Sequence, residues 1–222
     1  MKELLRANKG YVMFLLLFGV FRTAVADWSP IPSASMRPNL LEGDVVFINR
    51  LAYDVKLPLT DVVVARTGEP QRGDVVIFTW PNASQRMIKR LIGLPGDVVE
   101  MRAEKLIVNG REARYEARGT GSELLGEVAL VATSMYDETV DGHRRRIQVM
   151  PERAAARDFG PITVPAGQYL MLGDSRDNSV DSRFQGLVPR ERLIGRAERI
   201  LVSADIQGDW LPRTERFGMA MR

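Results

Sequence analysis

The sequence predicts a mainly β chain: antiparallel sheets with an inserted β-ribbon lobe, preceded by one N-terminal transmembrane helix. Three observations predict it. From residue 43 onward, short runs rich in Val, Ile and Leu alternate with Gly-Asp, Pro-Gly and Asn-Gly pairs, the composition of strands and tight turns. Between residues 111 and 160 that texture gives way to Arg, Glu, Ala and Gly. Ahead of both stands one apolar run, YVMFLLLFGVF (Tyr11 to Phe21), behind Lys2, Arg6 and Lys9.

Taken in order, residues 1–10 are a basic N-terminus that its charge keeps in the cytoplasm, and residues 11–26 are the apolar segment. Two readings of that segment stand side by side. A cleaved export signal needs a basic start, ~7–15 apolar residues and a small-x-small site, which Ala24-Val25-Ala26 supplies. An uncleaved anchor wants ~20 apolar residues; Tyr11 to Ala26 is shorter, but Arg22 lies near its end and can snorkel to the headgroups. Either way, the chain beyond residue 27 is exported.

Strands are expected at 44–48, 74–80, 86–92, 97–101, 105–110, 145–150, 168–172 and 198–203, with hairpin turns at Asn109-Gly110 and Asp141-Gly142. Only Leu187 to Ile194, around Pro189, carries a helical spacing. The main β domain therefore comprises 27–110 and 161–222, and 111–160 is the ribbon lobe inserted into it.

A chain of 222 residues, 45% hydrophobic, is large enough for one proper core. Its net charge of +3 comes from dispersed basic residues, clumped only at Arg144, Arg145 and Arg146. That is not the concentrated basic face of a nucleic-acid binder, so no nucleic-acid partner is expected. The absence of cysteine excludes disulfides, thiolate nucleophiles and cysteine-ligated zinc. No HExxH pair occurs either, and neither a metal nor a cofactor is expected.

The chemistry is expected in WSPIPSASMRPNLLEGD, residues 28–44, where Ser33 and Ser35 sit one residue apart among Pro30, Pro32 and Pro38. Prolines stiffen a segment, as a preorganised site requires, although an exposed linker after a membrane helix has the same look. A serine nucleophile needs a base. The single histidine, His143, lies in DGHRRR, where a hydrated turn residue is expected. Lys89 is the interesting alternative, flanked by Met87, Ile88, Leu91 and Ile92. In a strand it shares a face with Met87 and Leu91, either as a snorkelling side chain at a sheet edge or as a desolvated base. The second role demands a pKa lowered by ~3 units at a cost of ~4 kcal/mol, because an ordinary lysine is less than ~0.1% neutral at pH 7. It also demands that carboxylates stay away, and none occurs between Trp80 and Pro95.

Four segments occur in order: IPSASMRPNLLEGD, RGDVVIF at 72–78, MIKRLIGLPGD at 87–97 and GDSRDNSVDSR at 173–183. Together they resemble the motifs of the bacterial type I signal peptidases, or leader peptidases, serine endopeptidases that use a Ser/Lys dyad. The resemblance implies a signal-peptidase-like β-fold and roles position by position. Ser35 matches the nucleophile and Lys89 the general base. Ser33 matches the hydroxyl that completes the oxyanion hole with the Ser35 backbone N–H. Ser179 matches the hydroxyl that orients the lysine amine, and Asp181 and Arg183 match a structural ion pair behind it. Ile31, Pro32, Met36, Leu40 and Ile88 correspond to the lining of the substrate groove, whose shallow pockets admit small side chains at P1 and P3.

The resemblance further implies a monomeric, single-pass enzyme of the bacterial inner membrane. Its catalytic domain would lie on the periplasmic side, its partners would be the lipid bilayer and signal-peptide-bearing preproteins, and the N-terminal segment would be a retained anchor. Asn39 stands where the family commonly has Thr, Ser175 where it has Asn, and Gln185 where an aromatic is frequent. Other readings remain: a specialised relative that processes a narrow substrate such as a conjugation pilin, a repressor-type autoprotease, which would need a DNA-binding domain before the serine, or a non-catalytic anchored periplasmic binding protein. By itself, GDSRDNSVDSR also reads as an Asx-rich turn.

Overall fold

A computed structural model describes residues 8–60, 62–81, 85–125 and 129–221. A helix, α1 (Lys9–Ala24), leads into β1 (Ala26–Pro30) and a single 3-10 turn, Ala34–Met36. There follow β2 (Asp44–Asn49), β3 (Asp54–Lys56), β4 (Val63–Arg66), β5 (Val75–Thr79), β6 (Arg86–Gly93), β7 (Val98–Arg102) and β8 (Lys105–Val108). Next come β9 (Arg111–Glu112), β10 (Arg114–Leu125), β11 (Ala129–Val140), β12 (His143–Val149), β13 (Phe159–Thr163) and β14 (Gln168–Leu172). A short helix α2 (Ser182–Gln185), β15 (Val188–Pro189) and β16 (Leu193–Ser203) complete the elements used below.

Each expected strand run falls on an observed strand. β5 shows why: Val75, Val76, Ile77 and Phe78 are all buried because the strand is packed on both faces. Val75 and Ile77 join one core cluster with Ile31, Met36, Leu40 and Val46, whereas Val76 and Phe78 join another with Leu91, Met171 and Leu193. The sheet that separates these clusters has the order β1-β2-β16-β5-β6-β14-β15, every pair antiparallel. Both expected hairpin turns form, with positive φ at Asn109 and Gly110 and at Asp141 and Gly142, as a two-residue hairpin turn requires.

Two expectations change. Leu187–Ile194 is not helical: Val188 pairs with Tyr169, Pro189 is extended, and a 3-10 turn at Arg190–Arg192 leads into β16. Val188 and Leu193 still enter the core, so their spacing served a bend rather than a helix face. The apolar N-terminal segment is not helical through residue 26. α1 ends at Ala24, and Ala26 pairs with Asn49 as the first residue of β1. Asp27 then gathers Arg22, Arg50 and Arg86 around one carboxylate, which fixes the exit of the helix. None of the sixteen residues of α1 is buried, and no helix among the described residues is long and apolar enough to cross a membrane. Residues 1–7, the start of the expected basic N-terminus, lie outside the described residues.

The 111–160 segment is joined to the main body at its base. Its strands form a three-stranded sheet, β10-β11-β12, and Ala113 and Val140 belong to a core cluster with Ile92, Val99 and Leu172. β13 pairs with β7, outside the ribbon. Glu138 of β11 is fully buried and accepts hydrogen bonds from Arg176 at 2.6 and 2.8 Å and from the Tyr115 hydroxyl at 2.8 Å; it also pairs with Arg145. Burial opposes its ionisation, but the two guanidiniums and the tyrosine hold its pKa down at about 2.

Removing this charge leaves two buried arginines uncompensated, so Glu138→Gln should destabilise the protein by about 3–5 kcal/mol in chemical denaturation. A carboxylate with a depressed folded pKa stabilises above its unfolded value of ~4.3 and loses that stability as pH falls towards 2. The acid limb of the stability–pH curve between those values should therefore be shallower in the variant.

Candidate active site

Lys89 sits inside β6 and is 2% exposed, so the snorkelling alternative does not apply. The Ala34–Met36 turn presents Ser35 to it: Lys89 Nζ lies 2.7 Å from Ser35 Oγ and donates to the Ile88 carbonyl at 3.0 Å. Ser33 is extended and exposed, with Oγ 3.3 Å from Ser35 Oγ. Burial is the dominant influence on the Lys89 amine and lowers its pKa to about 8, against the opposing charges of Asp181 and Asp174.

The expectation that carboxylates stay away is thus met only along the local sequence. The fold brings in two from the 173–183 segment, each tied to its own arginine. Asp174 accepts from Arg90 at 2.7 and 2.8 Å, and both side chains are 1% exposed. Asn39 adds a donor to Asp174 at 2.7 Å and a second to the Arg146 carbonyl. Asp181 accepts from Arg183 at 2.8 and 2.9 Å and from the Gly173 N–H at 2.9 Å, and it caps α2.

Ser179 is buried nearby, but its Oγ has no hydrogen-bond partner. The expected bond from this hydroxyl to the amine is not made; the Ile88 carbonyl holds Nζ instead. Ser175 is buried with its hydroxyl unpartnered as well, while its N–H donates to the Ser35 carbonyl at 3.1 Å. Of the expected groove residues, Pro32 is exposed and Ile88 half-buried, whereas Ile31, Met36 and Leu40 belong to the core cluster beneath. Met36 and Leu40 have no exposed surface, so they act as a floor rather than as walls. Gln185 is exposed. His143 is exposed at the start of β12, as expected of a turn residue.

Sequence reasoning missed Arg90, Asp174 and Gly173. Arg90 adjoins Lys89, and Asp174 and Gly173 open the GDSRDNSVDSR segment, but the contact between Arg90 and Asp174 spans 84 positions of the chain. Nothing local announces them.

The arrangement joins a buried amine of lowered basicity to a serine hydroxyl within hydrogen-bonding distance. The family profile described as "Signal peptidase, peptidase S26" matches residues 4–202. The chain belongs to the S26 signal peptidases. These are serine-type peptidases that remove signal peptides. Signal peptidase I of Pseudomonas fluorescens is 34% identical over 97% of this chain and 79% of its own length, and the Pseudomonas aeruginosa enzyme gives the same figures. Among solved structures, a signal peptidase I from Enterococcus faecalis V583 aligns at 30% identity over 58% of this chain and 96% of that one, with a TM-score of 0.34.

Gly173 offers a test of the site's packing. A Cβ there would come within 2.6 Å of the Ser35 carbonyl oxygen and closer still to the Ser179 hydroxyl, distances that real side chains do not adopt. Gly173→Ala should therefore lower kcat on a signal-sequence peptide by at least about tenfold through misplacement of the Ser35 turn. Unchanged kinetics would show that the turn tolerates displacement.

Proposed function

We propose that this S26 peptidase cleaves signal peptides with Ser35 as nucleophile and the neutral amine of Lys89 as general base. The observation that carries the reading is the 2.7 Å approach of a 2%-exposed amine to the Ser35 hydroxyl. In the first step Lys89 Nζ takes the Ser35 proton as Oγ attacks the scissile carbonyl carbon. Negative charge then gathers on the carbonyl oxygen, where the Ser33 hydroxyl and the Ser35 backbone N–H form the oxyanion hole. The ammonium of Lys89 returns the proton to the leaving amine, and an ester links Ser35 to the new C-terminus. Water, deprotonated by the same amine, hydrolyses that ester and restores both residues.

Asp181 and Arg183 act as support: their pair holds the Gly173 N–H and, through Arg183, the Ala156 and Arg176 carbonyls. Ser179 fills the space against Gly173 beside the amine. Substrate would bind extended over Pro32 and Ile88, with the buried Ile31, Met36 and Leu40 as floor. A floor so close to the surface suits small residues at P1 and P3.

The exposed apolar surface of α1, with Tyr11, Phe14, Leu16 and Leu17 all more than half exposed, supports a retained single-pass anchor. Ala26 is buried and paired in β1, which argues against cleavage at that position. The β domain would then work on the periplasmic side of the bacterial inner membrane as a monomer on membrane-borne preproteins.

Purified enzyme and an Ala-x-Ala precursor peptide provide the test. Ser35→Ala and Lys89→Arg should each abolish cleavage, because among the described residues no other hydroxyl is hydrogen-bonded to the amine and arginine does not deprotonate. Ser33→Ala should cost about 10²–10³ in kcat, the loss of one oxyanion donor. The rate should rise with pH through a group near 8 as Lys89 becomes neutral. A wild-type rate from Lys89→Arg would overturn the dyad.

The same amine makes a stability prediction of opposite sense. Because its folded pKa lies below the unfolded value of ~10.4, the penalty is fully present below pH 8 and fades as pH rises to that value. Lys89→Met should therefore raise stability at pH 7 by up to about 3 kcal/mol while abolishing activity.

A further inference from the structure

Ser35 sits on a turn of only three residues, Ala34–Met36, so contacts outside the turn must keep its hydroxyl in line with the Lys89 amine. One such contact is the Ser175 N–H, which donates to the Ser35 carbonyl at 3.1 Å. The other comes from the residue that closes the turn. Arg37 donates its N–H to the Ala34 carbonyl, and its guanidinium reaches three separate segments of the chain. Nε donates to Glu42 at 2.8 Å, Nη2 donates to Gln207 at 3.1 Å, and Nη1 lies 3.6 Å from Glu123 of β10. Glu42 and Glu123 are each 5% exposed, so one guanidinium serves two buried carboxylates. Glu123 turns these contacts into a closed circuit. Its other oxygen accepts from the Gln148 side-chain amide at 2.5 Å. The Gln148 backbone in turn bonds the Asp174 carbonyl and the Arg176 N–H, the neighbours of Ser175 on either side. The path through Arg37, Glu123, Gln148 and Ser175 therefore starts and ends at Ser35.

We propose that Arg37 is a positioning residue for the Ser35 hydroxyl and that Glu123 is the ribbon carboxylate through which it acts. The proposal rests on the reading of Ser35 as nucleophile and gives the inserted ribbon a part in the reaction. Neither side chain bonds to Ser35 Oγ or to Lys89 Nζ; both act through the backbone of the turn. Without Arg37, two buried carboxylates lose their shared counter-charge, and a buried charge left unpaired is strongly unfavourable. They relax by moving towards water, which draws β10 and the Glu42 segment away from the turn. A nucleophile misplaced by about 1 Å loses on the order of 10² in rate. The circuit lies outside the proposed groove, so the loss falls on kcat rather than on KM.

The experiment measures kcat and KM of the full chain in detergent on the Ala-x-Ala precursor peptide, at a temperature where thermal scans show every variant fully folded. Arg37→Met is expected to lower kcat at least about thirtyfold and Glu123→Gln about tenfold, with KM within about twofold of wild type in both. The double variant should be no slower than Arg37→Met alone, because the second substitution removes a charge that the first left unpaired. Arg37→Lys, which keeps the charge but not the planar fork, should recover part of the rate. Wild-type kcat in Arg37→Met, a rise in KM that accounts for the loss, or losses that multiply in the double variant would each overturn the proposal. Should Arg37→Met fail to fold, the near-isosteric Glu123→Gln decides alone, and a kcat within about twofold of wild type overturns it. Ser35→Ala in the same assay keeps the two readings apart. Activity retained there removes the nucleophile and this proposal with it, whereas an inactive Ser35→Ala beside unimpaired Arg37 and Glu123 variants removes this proposal alone.

Discussion

The site depends on one electrostatic balance, the burial of the Lys89 amine against the pull of two neighbouring carboxylates. Desolvation penalises the ammonium, whereas Asp174 and Asp181 favour it. A single bare carboxylate ~4 Å from an ammonium stabilises it by about 4 kcal/mol at an effective dielectric of 20, enough to cancel the burial effect. The structure avoids this by pairing each acid with a buried arginine before it faces the lysine. Arg90 and Arg183 thus do more than hold the fold, since they keep the net field at the amine weak enough for burial to win. An ion pair this deep adds little net stability compared with apolar packing. Its use lies in what it does to the neighbouring group.

One stretch of chain serves both Ser35 and Lys89. Between Gly173 and Arg183, the N–H of Ser175 holds the Ser35 carbonyl, Asp174 and Asp181 set the field at Lys89, and Gly173 leaves room for the Ser35 turn. That stretch is itself fixed from the ribbon. Gln148 of β12 donates its N–H to the Asp174 carbonyl and accepts from the Arg176 N–H, and Glu138 of β11 clamps the Arg176 side chain. The ribbon's base therefore belongs to the support of the site. Asn39 extends the same web by bonding both Asp174 and the Arg146 carbonyl, and so ties the loop that carries Ser35 to the ribbon.

How much of this was legible in the sequence follows from the range of each interaction. Strands with continuous or alternating Val and Ile, and turns with Asn-Gly or Asp-Gly, are decided by neighbours, and they formed where the composition put them. The Ser35–Lys89 juxtaposition was legible only through the resemblance of four ordered motifs, since 54 positions separate the two side chains. The buried ion pairs were not legible at all. Arg90, Arg145 and Glu138 look like ordinary surface charges in the sequence, and only the closing of sheet on sheet makes each one's partner available. The helical spacing at Leu187–Ile194 misled for a related reason: with Pro189 extended, the same apolar residues reach the core from a bend and a strand.

The connection from α1 to Ser35 has little slack. Asp27 locks the end of the helix through Arg22 and Arg86, and Arg22 also lies over the Trp28 ring at 4.1 Å. β1 then pairs with β2 along its whole length, from Ala26 opposite Asn49 to Pro30 opposite Val45. Ile31 continues the ladder by exchanging backbone bonds with Asp44 and Gly43, which leaves only Pro32 before the Ser33–Ser35 segment begins. A helix held in a bilayer would therefore hold Ser35 at a nearly fixed height above it, because no flexible residues intervene to absorb displacement. Such a tether trades reach for position. It suits a peptidase whose substrates present their cleavage point at a constant distance from the membrane, and it would handicap an enzyme that had to find cleavage points at varied depths in soluble chains.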